Sequence, residues 1–341
     1  MTTFEPGPGG SDEVLFAQEG ALGRVLLNRP RALNSLSRAM IAGMQAQLEA
    51  WAQDDAVAVV SLEGAGDRGF CAGGDVRAVR QAHLEGLDGA RFFGEEYALD
   101  ALLAEYPRPV IAVMDGITMG GGVGLGMNAD LRVVTERTAL AMPETTIGFF
   151  PDVGATYRLA QSPGELGTHV ALTGVTVDGA DAIALGLADV LVPAEDVPAL
   201  LEQASASGTL PEAGERSPAS PLAGQRAWID AGYAGDDPGA ILQRLEDSDV
   251  PEARAAAETI RAKSPLSVAI TLAALRQAGG AGSLREVLDT DARIAAAMLA
   301  DSDFGEGVRA QLVDKDRTPH WSHASLADVP RRRVEQMFDG V

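Results

Sequence analysis

The hydrophobic positions of the chain follow two periods that alternate over roughly its first 200 residues. In residues 37–52 the apolar side chains recur at spacings of three and four, which predicts an amphipathic helix with Ser37 as its N-cap. Short apolar runs, typical of buried strands, precede and follow it. Strands that alternate with helices predict an α/β fold with right-handed crossovers and helices packed on the sheet faces. The predicted strands are 14–16 and 23–27 (a hairpin), 57–63, 110–114, 131–135 and 189–192, and the predicted helices between them include 121–129, 164–172 and 179–185.

The pattern and the composition divide the chain into four parts. Residues 1–12 are rich in Gly and Pro and are predicted to be disordered. Residues 13–200 are predicted to form an α/β core, and residues 201–222, rich in Ser, Gly, Pro and Ala, are predicted to be a linker or mobile segment. The remainder, 223–341, is predicted to be a helical C-terminal region, with helices at 239–245, 252–263, 265–277 and 284–299. The last two have apolar residues at helical spacing and no acid cluster, which predicts that they are packing elements.

Bulk properties narrow the class of function. The chain has 341 residues, 46% of them apolar, and a formal net charge of −22, which argues against nucleic acid as a partner. It lacks an apolar window of membrane-spanning length and the basic and apolar blocks of a signal peptide, so we expect a cytoplasmic protein without a membrane partner. The single cysteine, Cys71, cannot form an internal disulfide, and four scattered histidines do not suggest a metal site.

Two carboxylates mark the candidate chemistry. Glu144 and Asp152 lie eight residues apart in an apolar stretch, where an acid is costly unless it has a function. Two glycine-rich segments, 70–75 and 120–126, precede them. Glycine leaves backbone N–H groups open to a ligand, so these segments offer the parts that acyl transfer needs: oxyanion donors and acids. The glycine run at 120–126 lacks the Lys-Ser/Thr ending of a P-loop, although a dinucleotide site is not excluded by its position alone.

Several motifs in fixed order resemble the crotonase superfamily, also called the enoyl-CoA hydratase/isomerase family. The resemblance spans roughly residues 13–325 and implies a crotonase-like fold of repeated ββα units. Within the family, the motifs are most similar to those of the branch that hydrolyses 3-hydroxyisobutyryl-CoA. The motifs that carry the resemblance are 28–34 (Asn-Arg-Pro-Arg-Ala-Leu-Asn), 70–75 (Phe-Cys-Ala-Gly-Gly-Asp), 92–97, 115–125, 141–145, 150–154 (Phe-Pro-Asp-Val-Gly), 303–310, 314–316 and 319–321.

The resemblance also implies roles for individual residues. The backbone N–H groups of Gly74 and Gly121 would hold the thioester oxygen, and Glu144 and Asp152 would be the catalytic acids. Glu144 would act either as the nucleophile or as a general base for water, and the sequence leaves both routes open. Coenzyme A is then part of the substrate, and no separate cofactor is expected. The expected contacts to substrate or coenzyme A are Arg29, Ala32, Ala72, Asp75, Tyr97 and Lys315.

Three activities are compatible with this set of residues. The first is hydrolysis of an acyl-CoA thioester, with 3-hydroxyisobutyryl-CoA in valine breakdown as the implied substrate. The second is hydration or isomerisation of an enoyl-CoA, which in this family uses a second glutamate at the position that Gly124 occupies here. The third is binding without turnover, which the intact acids and glycines disfavour. A homo-oligomer is common in the family, but these residues do not specify one.

Overall fold

The computed structural model describes residues 3–212 and 218–339 and divides into two compact units, each built from three stretches of chain. The first unit comprises Met1–Asp75, Glu95–Leu140 and Val177–Ser220, and the second comprises Val76–Gly94, Ala141–Thr176 and Pro221–Val341.

A seven-stranded sheet forms the centre of the first unit. Its strand order is β1-β2-β3-β4-β6-β8-β10, antiparallel from β1 to β3 and parallel from there onward. A smaller sheet has the order β5-β7-β9. The strands are β1 Glu5–Pro6, β2 Val14–Glu19, β3 Leu22–Leu27, β4 Val59–Gly64, β5 Gly69–Cys71, β6 Val110–Met114, β7 Ile117–Met119, β8 Leu131–Val134, β9 Ala139–Ala141 and β10 Val190–Leu191.

The parallel strands are buried because helices cover them, and this is why they read as continuous apolar runs in the sequence. Leu22, Val59, Ile111 and Val133 are fully buried in one cluster, together with residues of a later helix. The helices are α1 Arg38–Ala52, α2 Val76–Leu84, α3 Ala90–Ala104, α4 Gly121–Met127, α5 Ala155–Leu159, α6 Leu166–Thr173, α7 Gly179–Ala184, α8 Val197–Ser207, α9 Arg226–Gly232, α10 Pro238–Glu246, α11 Pro251–Arg261, α12 Pro265–Ala278, α13 Leu284–Leu299, α14 Ser302–Val308 and α15 Arg331–Asp339.

The structure confirms the α/β class, the helical C-terminal region and the cap of α1, where the Ser37 side chain accepts a hydrogen bond from the Met40 amide. None of the helices in the described part of the chain is both long and apolar enough to cross a membrane.

Two predicted segment bounds differ from the structure. Glu5–Pro6 pairs with β2, so this part of the N-terminal segment is a strand. Helix α8 extends through the first seven residues of the predicted linker, because Leu200, Leu201 and Ala204 share one buried face of it. Residues 213–217 of that segment lie outside the described residues. Helices α2 and α3 were not predicted.

A buried polar pair in the second unit gives the fold a pH dependence. The ring Nδ1 of His169 lies 2.9 Å from the Tyr233 hydroxyl oxygen, and both side chains are buried. Burial lowers the pKa of His169 to about 4, because the desolvated imidazole resists protonation. An exposed histidine in the unfolded chain takes up its proton near pH 6.5.

We therefore expect acid to destabilise the fold through His169. Between pH 6.5 and pH 4 the unfolded chain binds a proton at His169 that the folded chain does not. The free energy of unfolding is therefore unaffected by His169 above this pH range and falls as the pH drops through it. The loss at pH 4 is about 3 kcal/mol. Denaturant unfolding of the wild type and of His169→Gln at pH 7.5 and pH 4 isolates the effect, since other titrating groups are common to both. An equal stability difference at the two pH values would contradict it.

Candidate active site

The first predicted oxyanion donor lies in a short parallel pairing within the first unit. The amide of Leu36 donates to the Gly73 carbonyl at 2.8 Å, and the amide of Asp75 donates to the Leu36 carbonyl at 2.9 Å. Because N–H groups alternate in direction along an extended segment, the Gly74 N–H points away from this pairing. It is therefore positioned to donate to a ligand.

The second predicted donor opens helix α4. The helix begins after Gly120, whose φ is 50°, and Gly121 is its first residue, a position at which the amide has no carbonyl partner within the helix. A Cβ placed on Gly73 would lie 3.4 Å from the Gly121 nitrogen, so the loops that carry the two predicted donors lie side by side. The loops that carry Gly74 and Gly121 thus lie together in the first unit, and the role of their amides as oxyanion donors remains a prediction.

A carboxylate that the sequence did not single out lies beside Gly121. A Cβ on Gly121 would come within 2.1 Å of Oε1 of Glu96, which is 2% exposed on helix α3. Glycine at 121 therefore leaves the space that the buried Glu96 carboxyl occupies. The available signal was an acidic pair, residues 95 and 96, in an apolar helical segment, of which only one member, Glu95, lies at the surface and pairs with Arg38.

The predicted coenzyme A contacts have mixed environments. Arg29 lies between two acids, with Nη2 donating to Asp75 at 3.0 Å and Nε 3.3 Å from Glu13, so its guanidinium is already engaged by carboxylates. Ala32 ends an exposed turn, Ala72 is half-buried, and Tyr97 is buried at 4% exposure. Lys315 belongs to the second unit and is exposed, with a φ of 59°. The roles of these residues remain predictions.

The second unit holds the acids. Glu144 begins a 3-10 turn, Glu144–Ile147, which ends at Gly148 with a φ of 71°. Its side chain is 7% exposed, and its Oε2 has no hydrogen-bond partner among the described residues. Burial, and then the negative charge of Asp152, raise the pKa of Glu144 well above its ordinary value. A desolvated carboxylate with an unused oxygen is suited to attack or to proton transfer.

Asp152 lies in a strained turn. The next residue, Val153, has a φ of 55°, which a β-branched side chain rarely adopts, and Gly154 has a φ of 75°. Asp152 is 4% exposed. Strain of this kind persists only where the surroundings enforce it, and it concentrates at functional sites.

Aromatic packing explains why the segment between the acids is not a solvated loop. Phe149 stacks on Phe93 with ring centroids 4.9 Å apart and also contacts Phe150 and Phe304 at 5.1 Å and 5.4 Å. All four rings are buried in the second unit. This cluster fixes the backbone that leads from Glu144 to Asp152.

Helix α14 supports the Glu144 turn from behind by close backbone packing. A Cβ on Gly148 would lie 2.2 Å from the Asp303 carbonyl oxygen, and one on Gly307 would lie 2.3 Å from the Ile147 carbonyl carbon. Around Gly305, two residues earlier on the same helix, no atom lies within 4 Å of an added Cβ.

We expect Gly307→Ala to destabilise the protein by about 1–3 kcal/mol and to lower activity, because the added methyl must displace the backbone next to Glu144. Gly305→Ala is the matched control: it adds the same methyl to the same helix in open space and should be neutral or slightly stabilising. Thermal unfolding of both variants checks this. Equal melting temperatures of the two variants would show that α14 can shift to accept the methyl group with no loss of stability.

The alternative chemistries find no support in the described residues. Cys71 is fully buried and its pKa is raised to about 12, chiefly by desolvation, so it is held as a neutral thiol. Residues 3–212 and 218–339 contain no group of three or more His, Cys, Asp or Glu side chains arranged to hold a metal ion.

Comparison with known proteins identifies the family of the chain. The family model described as enoyl-CoA hydratase/isomerase matches residues 22–338. The chain belongs to the enoyl-CoA hydratase/isomerase family. The crotonase-like resemblance seen in the motifs is thus confirmed.

Proteins that are similar to this chain carry three kinds of name: hydrolase, dehydratase and hydratase. The zebrafish (Danio rerio) protein "3-hydroxyisobutyryl-CoA hydrolase, mitochondrial" is 38% identical over 96% of this chain and 90% of its own length, and the human (Homo sapiens) protein of the same name is 35% identical over 96% and 89%. A crystal structure titled carnitinyl-CoA dehydratase, from Mycobacterium thermoresistibile, is 45% identical over 97% of both chains with a TM-score of 0.92. One titled enoyl-CoA hydratase, from Rhodobacter sphaeroides, is 37% identical over 97% and 98% with a TM-score of 0.93.

Proposed function

We propose that the protein is an acyl-CoA thioester hydrolase that converts 3-hydroxyisobutyryl-CoA and water to 3-hydroxyisobutyrate and coenzyme A. Relatives of this name cover almost the whole chain at 35–38% identity. The observation that carries the proposal is the acid pair, in which Asp152 perturbs the buried carboxyl of Glu144. The proposal also places the protein in valine breakdown.

The proposed reaction uses each group once. Glu144 attacks the thioester carbon, and the Gly74 and Gly121 N–H groups donate to the oxygen that becomes negative. The carbon–sulfur bond breaks, coenzyme A leaves as a thiolate that takes up a proton from solvent, and an acyl anhydride with Glu144 remains. Water then adds to the anhydride and gives a proton to Asp152, the bond from the acyl carbon to the Glu144 oxygen breaks, and the acid product leaves. Asp152 returns its proton to solvent, which restores both acids. In the second route, Glu144 removes the proton from water, which attacks the thioester directly.

Enoyl-CoA hydration is the second candidate, and the two structural relatives with hydratase and dehydratase titles favour it. Against it stands helix α4, which contains no carboxylate from Gly121 to Met127 and has Gly124 where hydratases of the family place their second glutamate. Hydration needs two acids to hold and split one water, whereas hydrolysis needs an acid, a water and an oxyanion site.

Thiol release and enoyl absorbance, followed together on a panel of acyl-CoAs, separate the two candidates. Hydrolysis of 3-hydroxyisobutyryl-CoA with thiol release is expected, and crotonyl-CoA should lose little absorbance. Hydration of crotonyl-CoA without thiol release would replace our proposal by the second candidate.

The location of the protein in the cell stays a prediction. The sequence leads us to propose the cytoplasm, whereas the names of the curated relatives place those proteins in the mitochondrion.

A further inference from the structure

A third buried acid lies behind the Asp152 turn. Asp291, on helix α13, is 1% exposed, and its Oδ2 accepts a hydrogen bond from the Gly154 amide at 2.8 Å. Nothing in the local sequence pairs these residues, which are 137 positions apart. The helix was predicted from its periodicity to be a packing element alone.

The same face of α13 packs closely against Gly154 and leaves no room for a side chain there. A Cβ on Gly154 would come within 2.4 Å of Leu284 Cδ1 and 3.4 Å of Leu288 Cδ2. Leu284, Leu288 and Asp291 follow the spacing of one helix face, so α13 presents two methyl-bearing side chains and one hydrogen-bond acceptor to a single peptide. The turn on which they act contains the strained Val153.

We propose that Asp291 is a positioning residue for the hydrolytic reaction: it holds the Gly154 amide and thereby fixes the direction of the Asp152 carboxyl. This inference rests on the proposed function for its catalytic part. A valine in the left-handed region relaxes unless its neighbours prevent it. The bond from the Gly154 amide to Asp291 is a directional contact from outside the turn that opposes this, in addition to the local bond from the Ala155 amide to the Asp152 carbonyl at 2.8 Å. Relaxation of the turn would rotate the adjoining Asp152.

The electrostatics agree with such a role. Burial raises the pKa of Asp291 well above its ordinary value, and the charge of Asp152 adds to the effect, whereas the Gly154 amide opposes it. A buried acid next to another acid opposes folding through its desolvation and the mutual repulsion. Its carboxyl accepts a hydrogen bond from the turn that carries Asp152.

Three variants test the role. Asp291→Ala removes the acceptor, Asp291→Asn retains an acceptor oxygen without the charge, and Asp289→Ala is the control on the exposed side of the same helix. For Asp291→Ala we expect kcat to fall about tenfold with KM within about twofold, because misplacement of a catalytic group affects the chemical step. The Asn variant should recover most of that loss, and the control should match the wild type.

Amide hydrogen exchange provides a readout that does not depend on turnover. In Asp291→Ala the exchange of the 152–157 segment should be about tenfold faster than in the wild type, whereas Asp289→Ala should leave it unchanged. If the wild type hydrolyses no acyl-CoA, the proposed function fails, and the exchange comparison alone still decides whether Asp291 holds the turn.

Three results would overturn the inference. The first is wild-type kcat and exchange in a folded Asp291→Ala protein. The second is an Asn variant as slow as the Ala variant, since the charge rather than the bond to Gly154 would then matter. The third applies if Asp291→Ala does not fold: a tenfold loss of kcat in the Asn variant then overturns the role. Near-normal kcat and exchange in that variant support it.

Discussion

Glu144→Gln should lose thioester hydrolysis by at least about 10³-fold while the protein remains folded and still binds acyl-CoA. The amide has nearly the same shape, but it can neither attack the thioester nor accept a proton from water. The buried site also favours folding of the variant, because the amide removes a carboxyl whose charged form is desolvated. Rates of thiol release, with binding measured by calorimetry on a non-hydrolysable analogue, test both parts.

Glu258→Gln, at an exposed position of α11, is the matched control and should be fully active. Near-normal kcat in Glu144→Gln would remove Glu144 from the mechanism. Unchanged binding with no turnover would leave its role as nucleophile or base in place.

Asp152→Asn should lower kcat by about 10²-fold, the usual scale of general acid–base catalysis, with little change in the affinity for coenzyme A. It should also move the acid limb of the pH profile to lower pH. The charge of Asp152 raises the pKa of Glu144, so without that charge Glu144 ionises at a lower pH. Measuring kcat against pH for both proteins separates this shift from a general loss of activity.

The exposed Asp249→Asn on the same unit serves as the control. A raised KM with unchanged kcat would instead make Asp152 a recognition residue, and the two-acid mechanism would be wrong.

The Asp152→Asn variant also tests whether Glu144 acts as the nucleophile or as a general base. If the anhydride forms and Asp152 assists its hydrolysis, mass spectrometry should detect an acyl adduct on the Glu144 peptide during turnover of Asp152→Asn.

The sequence predicted those parts of the fold in which one period of hydrophobic residues extends over a whole element. Helix α13 was predicted at its observed bounds, and α1 begins one residue later than predicted. Both predictions succeeded because each helix buries a regular stripe of apolar side chains. Strands β5 and β7 were missed because three residues are too few to show a period. In addition, β5 begins with a glycine and β7 lies between two glycines.

The functional side chains were predictable where a local motif carries them and not where tertiary packing does. Glu144, Asp152 and the glycine loops are each marked by their immediate neighbours in the chain. Glu96 and Asp291 sit on helices whose patterns look like ordinary packing faces, and their proximity to Gly121 and Gly154 arises from contacts between distant segments. One sequence without its fold contains no sign of such contacts.

The contacts behind the two acids also set when the site can first exist during synthesis. The turns that carry Glu144 and Asp152 leave the ribosome well before the helices that brace them, α13 at Leu284–Leu299 and α14 at Ser302–Val308. Domains fold as units during translation, so a nascent or prematurely ended chain without these helices lacks the supports of both acids. On the proposed function, we expect a chain that ends before α13 to hydrolyse acyl-CoA poorly, so that activity begins only with a nearly finished polypeptide.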